Sequence, residues 1–197
     1  MPAEQAPFSE RKIAIMGFRS VGKSSISIQF AENRFPDTYD PTISNTFMRN
    51  FEFRGRKYRI NLQDTAGQDE YSLFPRSMDV HGFVLVYAIN SRQSFDVVKA
   101  IYEKILDNFG NVAVGSAGSQ THIPVVLVGN KLDLQHIERE VPTAEGKRLA
   151  DSWNGIFMET SAREHRQVEE IFGKLIFEIE KVHGNVKEQK DSSCVIS

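Results

Sequence analysis

Cysteine is nearly missing from this chain: of 197 residues one is a cysteine, Cys194. Intrachain disulfides and cysteine-based zinc sites are therefore excluded. No apolar run approaches the roughly 18 residues of a membrane span, and the polar start Met1 to Glu10 has no apolar core of the kind a secretory signal carries. A domain folding in the cytosol is expected. An excess of charge of one sign is lacking too. Lys plus Arg number 24 against 26 Asp plus Glu, a net charge of -2, so no nucleic-acid partner is expected. Histidines 81, 122, 136, 165 and 183 are scattered without metal-ligand spacing, and no internal repeat is visible. The length fits one domain with a real core.

What is present is organised around Gly17-Phe18-Arg19-Ser20-Val21-Gly22-Lys23-Ser24, a match to G-x-x-x-x-G-K-[ST]. The apolar run Ile13 to Met16 precedes it and Ser25 to Phe30 follows, the strand-to-helix context that a phosphate-binding P-loop requires. Glycines let successive N–H groups turn inward on an anion, and a helix start adds unpaired donors and the positive dipole end. Lys23 supplies a point charge toward β- and γ-phosphates, and the Ser24 hydroxyl is placed to ligate Mg²⁺.

The rest of the chain alternates strands and helices. Ile26 and Phe30 share a face of a helix expected to run to about Asn33. The proline-containing stretch Phe35 to Thr42 must be a loop. Phe47, Phe51 and Phe53 share one parity and Tyr58, Ile60 and Leu62 another, flanking Arg54-Gly55-Arg56 as an antiparallel hairpin. Asp64 to Tyr71 reads as a mobile loop, while Gly82 to Ile89 and Pro124 to Val128 are unbroken apolar runs of buried parallel strands. Helical spacing recurs from Phe95 to Phe109 and from Val168 to Val182. A further helix is expected with Thr143 as N-cap and an end near Trp153, before a short strand at Ile156 to Met158. The segment 110–122, rich in small residues, reads as a flexible surface loop. These elements predict an α/β doubly wound, mostly parallel six-stranded sheet with one antiparallel edge and about five helices. The organisation is an N-terminal extension at 1–10, a domain at 11–183 and a flexible tail at 184–197.

In such a sheet the ligand sits at the carboxyl ends of the parallel strands. Three motifs converge there: the P-loop, Asp64 at the end of the third strand, and Asn130-Lys131-Leu132-Asp133 after the strand that starts at Pro124. A lone Asp after a strand is ordinarily a turn residue; followed by Thr65-Ala66-Gly67-Gln68 and paired with a P-loop, it fits a carboxylate that holds the metal ion or its waters.

Asp64 to Gln68, Asn130 to Asp133 and Ser161-Ala162-Arg163 resemble the guanine-nucleotide motifs of Ras-type small GTPases, over about Arg11 to His183. The resemblance implies a P-loop NTPase fold of the small-GTPase kind, acting as a monomer, with GTP or GDP and Mg²⁺ as ligands. It implies nucleotide contacts from Arg19 through Ser25, that is Arg19, Ser20, Val21, Gly22, Lys23, Ser24 and Ser25. It adds Phe35, Asp37, Tyr39, Thr42, Gly67, Ser161 and Ala162. Asn130 and Asp133 would read the guanine edge, Lys131 and Phe35 would pack on the ring, and the Ala162 N–H would meet the carbonyl oxygen. A carboxylate accepting from two guanine N–H groups also makes independent sense, since adenine offers no such pair. The metal ligands implied are Ser24, Thr42 and, through water, Asp64. Thr42 and Gly67 would sense the γ-phosphate, Tyr39 would cover the site, and Gln68 would orient the attacking water. A P-loop nucleotide kinase would need a second substrate site and an Arg-rich lid, which the sequence does not offer.

Within the superfamily, Gly17 to Ser25, Asp40 to Phe47, Gln68 to Pro75 and Ser152-Trp153-Asn154 resemble one branch in particular. That resemblance implies a TOR kinase complex as effector and a tuberin-type GTPase-activating protein. Several positions depart from Ras. Arg19 stands where Ras has glycine: it is either a finger in cis or a bystander pointing to solvent while hydrolysis stays slow, and the resemblance favours the second. Ser44 and Asn45 are neutral where Ras is acidic, so basic Ras-type effectors should bind poorly. Arg163 replaces the usual lysine, and the 110–122 loop is longer than expected. An alternative to a hydrolysing switch is a binding module that stays loaded with GTP. The chain ends Cys194-Val195-Ile196-Ser197, a C-a-a-X box whose final Ser predicts farnesylation of Cys194 by farnesyltransferase, with the methylation that accompanies it. Lys187 and Lys190 are offset by Glu188 and Asp191, so anchoring should be weak and reversible. The cytoplasmic face of endomembranes (lysosome, Golgi, ER) with a cytosolic pool is the expected location.

Overall fold

Alternation of side chains along the strands sets the architecture. In the computed structural model, which describes residues 8–36, 44–69, 79–109, 122–165 and 167–185, β1 (Ser9–Gly17) sends Ile13 and Ile15 to one face of the sheet and Ala14 and Met16 to the other. β4 (Gly82–Ala88) and β5 (Val125–Asn130) are buried along their whole length, as strands covered on both sides must be. The Ile13 face packs against α1 (Lys23–Glu32) and α4 (Val168–Val182). The Ala14 face packs against α2 (Arg92–Phe109) and α3 (Thr143–Ser152).

β2 (Ser44–Phe53) and β3 (Arg56–Thr65) form the antiparallel hairpin, with Phe47 opposite Leu62 and Phe51 opposite Tyr58. The turn is two residues, Arg54 and Gly55, both at positive φ (50° and 73°), the sign that the tight hairpin turns matching strand twist require. Arg56, expected in the turn, opens β3 instead. With β6 (Ile156–Glu159) the sheet has order β2-β3-β1-β4-β5-β6, all pairs parallel except β2 with β3. β1 is flanked by β3 on one side and β4 on the other, so the loop leaving its carboxyl end opens at the topological switch point.

Among the described residues there are four α-helices and a 3₁₀ turn at Leu132–Leu134. One expectation is corrected. Thr143 is the first helical residue of α3, and the N-cap is Pro142, which has no side chain to cap with. The Thr143 hydroxyl lies 3.1 and 3.2 Å from the two Glu159 oxygens, where it donates to the carboxylate of β6 rather than capping its own helix. Helix α1 ends as expected, with Asn33 at φ 54° closing the last turn through its N–H to the Gln29 carbonyl. β1 starts two residues before Arg11, drawing the end of the N-terminal extension into the sheet. The segments 110–121 and 186–197, expected as a loop and a tail, lie outside the described residues.

Candidate nucleotide-binding site

The loop between β1 and α1 is shaped by what a side chain would strike. At Gly17 (φ 151°) a Cβ would lie 2.1 Å from the Val86 carbonyl oxygen, and at Gly22 (φ 96°) one would lie 2.2 Å from the Asn130 side-chain nitrogen. Only glycine fits either position. Gly22 is also the N-cap of α1, with no side-chain cap, so the first-turn N–H groups keep their donor capacity for an anion. Lys23 is 5% exposed and its Nζ donates to the carbonyls of Gly17 and Phe18, 3.0 Å each, folding the ammonium into the loop. Burial pushes its pKa down to about 8, opposed by the Asp64 charge.

Asn130, 3% exposed, ties three loops together. Its Nδ2 donates to the Val21 carbonyl of the P-loop (2.8 Å), and its Oδ1 accepts the Ala162 N–H (3.2 Å). Lys131 follows in the left-handed region (φ 67°), turning the chain so that Leu132 N–H reaches the Thr160 carbonyl at 3.0 Å. Ser161 is fully buried; its hydroxyl donates to Asp133 Oδ1 at 2.6 Å and accepts the Glu164 N–H at 3.2 Å. Asp133 is thus held by a neighbouring motif, with its second oxygen left for a ligand.

The loops enclose a cavity of about 970 Å³. The P-loop contributes Arg19, Ser20, Gly22, Lys23, Ser24 and Ser25 to its wall. Phe35 and Gly67 line it from two other loops, and Asn130, Lys131, Asp133 and Ala162 line its far end. Val21 is buried in the core and offers only backbone. Sequence reasoning overlooked Ile28, Arg34, Pro36 and Asn45 as lining residues. Ile28 was legible, four residues after Ser24 on the same helix; Asn45 became visible only through the register that sets it opposite Asp64. Asp37, Tyr39 and Thr42 lie outside the described residues.

Asp64 has no exposed surface, and among the described residues neither carboxylate oxygen has a hydrogen-bond partner of normal geometry. Burial raises its pKa, with the Ser24 hydroxyl and the Lys23 charge pulling the other way. A fully buried carboxylate beside a hydroxyl and a phosphate cradle fits a hard divalent cation or its waters. The Gln68 N–H donates to the Gly17 carbonyl at 3.0 Å, while its side-chain Oε1 is buried without a hydrogen-bond partner among the described residues. Arg19 is exposed; its guanidinium carbon stands 5.3 Å from the centre of the Phe18 ring.

A switch-point P-loop, a buried carboxylate at the end of β3 and a base-reading loop define a small GTPase, and the chain belongs to the Ras family, whose model matches residues 12–181. Within the family its similarity is to Rheb. It is 53% identical over 193 residues to the GTP-binding protein Rheb homolog of Drosophila melanogaster, covering 97% of this chain and 100% of that protein. It is 49% identical over 188 residues to the GTP-binding protein Rheb of Homo sapiens, covering 94% and 97%. The figure for the GTP-binding protein rhb1 of Schizosaccharomyces pombe is 43% over 194 residues, covering 98% and 100%. The chain is a Rheb-like GTPase whose ligands are GTP or GDP and Mg²⁺.

Proposed function

We propose that this GTPase is a slow-turnover membrane switch: loaded with GTP it activates a TOR kinase complex, and a tuberin-type activating protein returns it to GDP. The observation that carries the switch chemistry is the Asn130 tie, which joins the phosphate loop and both base loops around one cavity. Lys23 takes up charge on the β/γ-phosphates, the Gly67 N–H meets the γ-phosphate, and Asp133 with Asn130 reads guanine. Lys131 and Phe35 pack on the ring, with Ala162 N–H at the carbonyl and Ser161 fixing Asp133. Ser24, Thr42 and, through water, Asp64 would hold Mg²⁺, which would neutralise phosphate charge. Gln68 Oε1 accepts a hydrogen bond from the attacking water, whose oxygen bonds to the γ-phosphorus as the bond to the GDP oxygen breaks. The water's proton ends on phosphate. By the family resemblance Tyr39 would cover the site and Asp37 would contact the nucleotide.

The Gln68 Oε1 is buried without a hydrogen-bond partner among the described residues, which supports slow intrinsic turnover, on the order of 10⁻⁴ s⁻¹ or below as for unassisted Ras. The anchor is a farnesyl group on Cys194, placed when the thiolate displaces diphosphate from farnesyl diphosphate. With one lipid and a charge-balanced tail the chain exchanges between endomembranes (lysosome, Golgi, ER) and a cytosolic pool. The test is GTP turnover, with analysis of bound nucleotide, with and without the candidate activating protein. Acceleration of several decades supports the switch. GTP retained in both conditions overturns it in favour of a constitutively loaded binding module.

A further inference from the structure

The tail lacks a basic patch, but the folded domain has one. Arg54, Arg56, Lys57 and Arg59 fall within six residues at the β2–β3 turn, all exposed, with Glu52 the exposed acid between Phe51 and Phe53. In a chain of net charge -2 this is a local reversal of sign. Its position follows from topology. β3 opens at Arg56 beside the start of β1, where Ser9 pairs with Tyr58, so the turn lies at the amino ends of the parallel strands, away from the cavity. Helix α4 starts beyond β6 on the cavity side and runs back, ending at the turn.

The contacts there are direct. The Arg54 guanidinium lies 4.2 Å from the Phe177 ring centre and Lys181 Nζ lies 4.9 Å from it. Arg56 Nη1 is 3.9 Å from Glu180, which is 2% exposed and accepts from Arg11 Nε at 2.7 Å and from Asn185 Nδ2 at 2.8 Å. Glu180 therefore fixes where the chain leaves the domain. Cys194 lies nine residues past Asn185 (194 minus 185), no farther than about 30 Å even fully extended.

We propose that the β2–β3 turn is a contact surface for anionic phospholipid, with Arg54, Lys57, Arg59 and the partly paired Arg56 meeting headgroups when the tail is anchored. This rests on the reading that Cys194 carries a lipid. One prenyl chain holds a protein only marginally, and a second, basic signal makes the association stable. Each cation at an anionic surface is worth roughly fivefold in partitioning, so three to four of them convert a transient contact into a lipid-selective one.

The single cysteine separates the proposal from the reading beneath it. Coupling Cys194 of the GDP-bound full chain to a maleimide carrying one farnesyl-length chain gives an anchor that does not depend on farnesyltransferase. Co-sedimentation with phosphatidylcholine vesicles is then compared with vesicles also holding phosphatidylserine. Wild type is expected to partition more strongly, on the order of a hundredfold or more, when phosphatidylserine is present, with the preference falling as salt rises. Arg54→Gln/Lys57→Gln/Arg59→Gln should keep less than about threefold of it, while matching wild type on neutral vesicles and in GDP affinity. Lys147→Gln/Arg148→Gln, on α3 beside the far edge of the sheet, should behave as wild type. A wild type indifferent to phosphatidylserine, or a triple variant that keeps the full preference, overturns the proposal. Failure of farnesyltransferase to modify Cys194 of the uncoupled chain overturns the anchor reading instead, and the vesicle comparison still decides whether the turn selects an anionic surface.

Discussion

Ser161→Ala tests whether guanine affinity depends on a residue that only orients the base-reading carboxylate. Ser161 is fully buried, and its hydroxyl donates to Asp133 Oδ1 at 2.6 Å, a short bond to a charged acceptor. Hydrogen bonds to charged groups contribute about 1.5–3 kcal/mol. Asp133 is half-buried, so water recovers part of this and the lower end applies: roughly 1.5 kcal/mol, about tenfold in affinity. The loss should fall on dissociation, because the variant leaves the mouth of the cavity unchanged. The assay is release of a fluorescent GDP analogue by stopped flow, beside single-turnover hydrolysis. Release should quicken about tenfold while the hydrolysis step moves less than about twofold. In an Asp133→Ala background the same substitution should cost little, a coupling of about 1 kcal/mol or more. Unchanged release, or strictly additive losses, would refute the orienting role.

Arg19→Gly should leave single-turnover hydrolysis within about threefold, whereas a cis finger is worth 10³ or more; a drop of that size would assign Arg19 to the transition state. A Cβ at Gly67 would lie 2.6 Å from the Arg19 Cα, so Gly67→Ala should part the loop from the P-loop and slow hydrolysis at least about tenfold, with GDP affinity little changed in the release assay. Glu180→Ala strands the Arg11 guanidinium, whose side chain is 13% exposed, and urea unfolding should report a loss of about 3 kcal/mol; a loss under about 1 kcal/mol would mean that the pair contributes little. The Glu178 carboxyl is held below its ordinary range by its hydrogen bond to His122, then by Lys181. A lowered carboxylate contributes stability that is present above its unfolded pKa and lost as pH falls through the folded one. Glu178→Gln should therefore lower stability at neutral and alkaline pH, and urea unfolding across pH should show the difference from wild type vanishing as pH falls through the acid range.

The strands at Ile13, Val84 and Val126 were legible because continuous burial on both faces leaves only apolar residues to use, and the three motifs because phosphate, metal and guanine each demand particular atoms. Thr143 was misread because a Thr before a helical pattern is the commonest cap signal, and sequence does not reveal that Glu159, sixteen residues on, claims its hydroxyl. Asn130 was recognised as a base reader, but not as a brace between the P-loop and the Ala162 loop, which one amide N–H and one lone pair provide. A pairing that spans 109 residues leaves no periodic trace. Asn45 entered the cavity wall through strand register, which the hydrophobic pattern of a half-exposed edge strand specifies only weakly.

Helix α4 is 15 residues long and begins just after the loop that carries Ser161 and Ala162, so it is also a measure of distance. At 1.5 Å per residue it sets the nucleotide about 22 Å from the point where the tail departs. The field of a charged surface at that point decays with a length near 8 Å in physiological salt, leaving less than about a tenth of it at the nucleotide. The affinity for GTP is thereby insulated from the composition of whatever surface lies beneath the tail. A macromolecule that reads the loaded state must do so at that height, and its own reach becomes part of its selectivity.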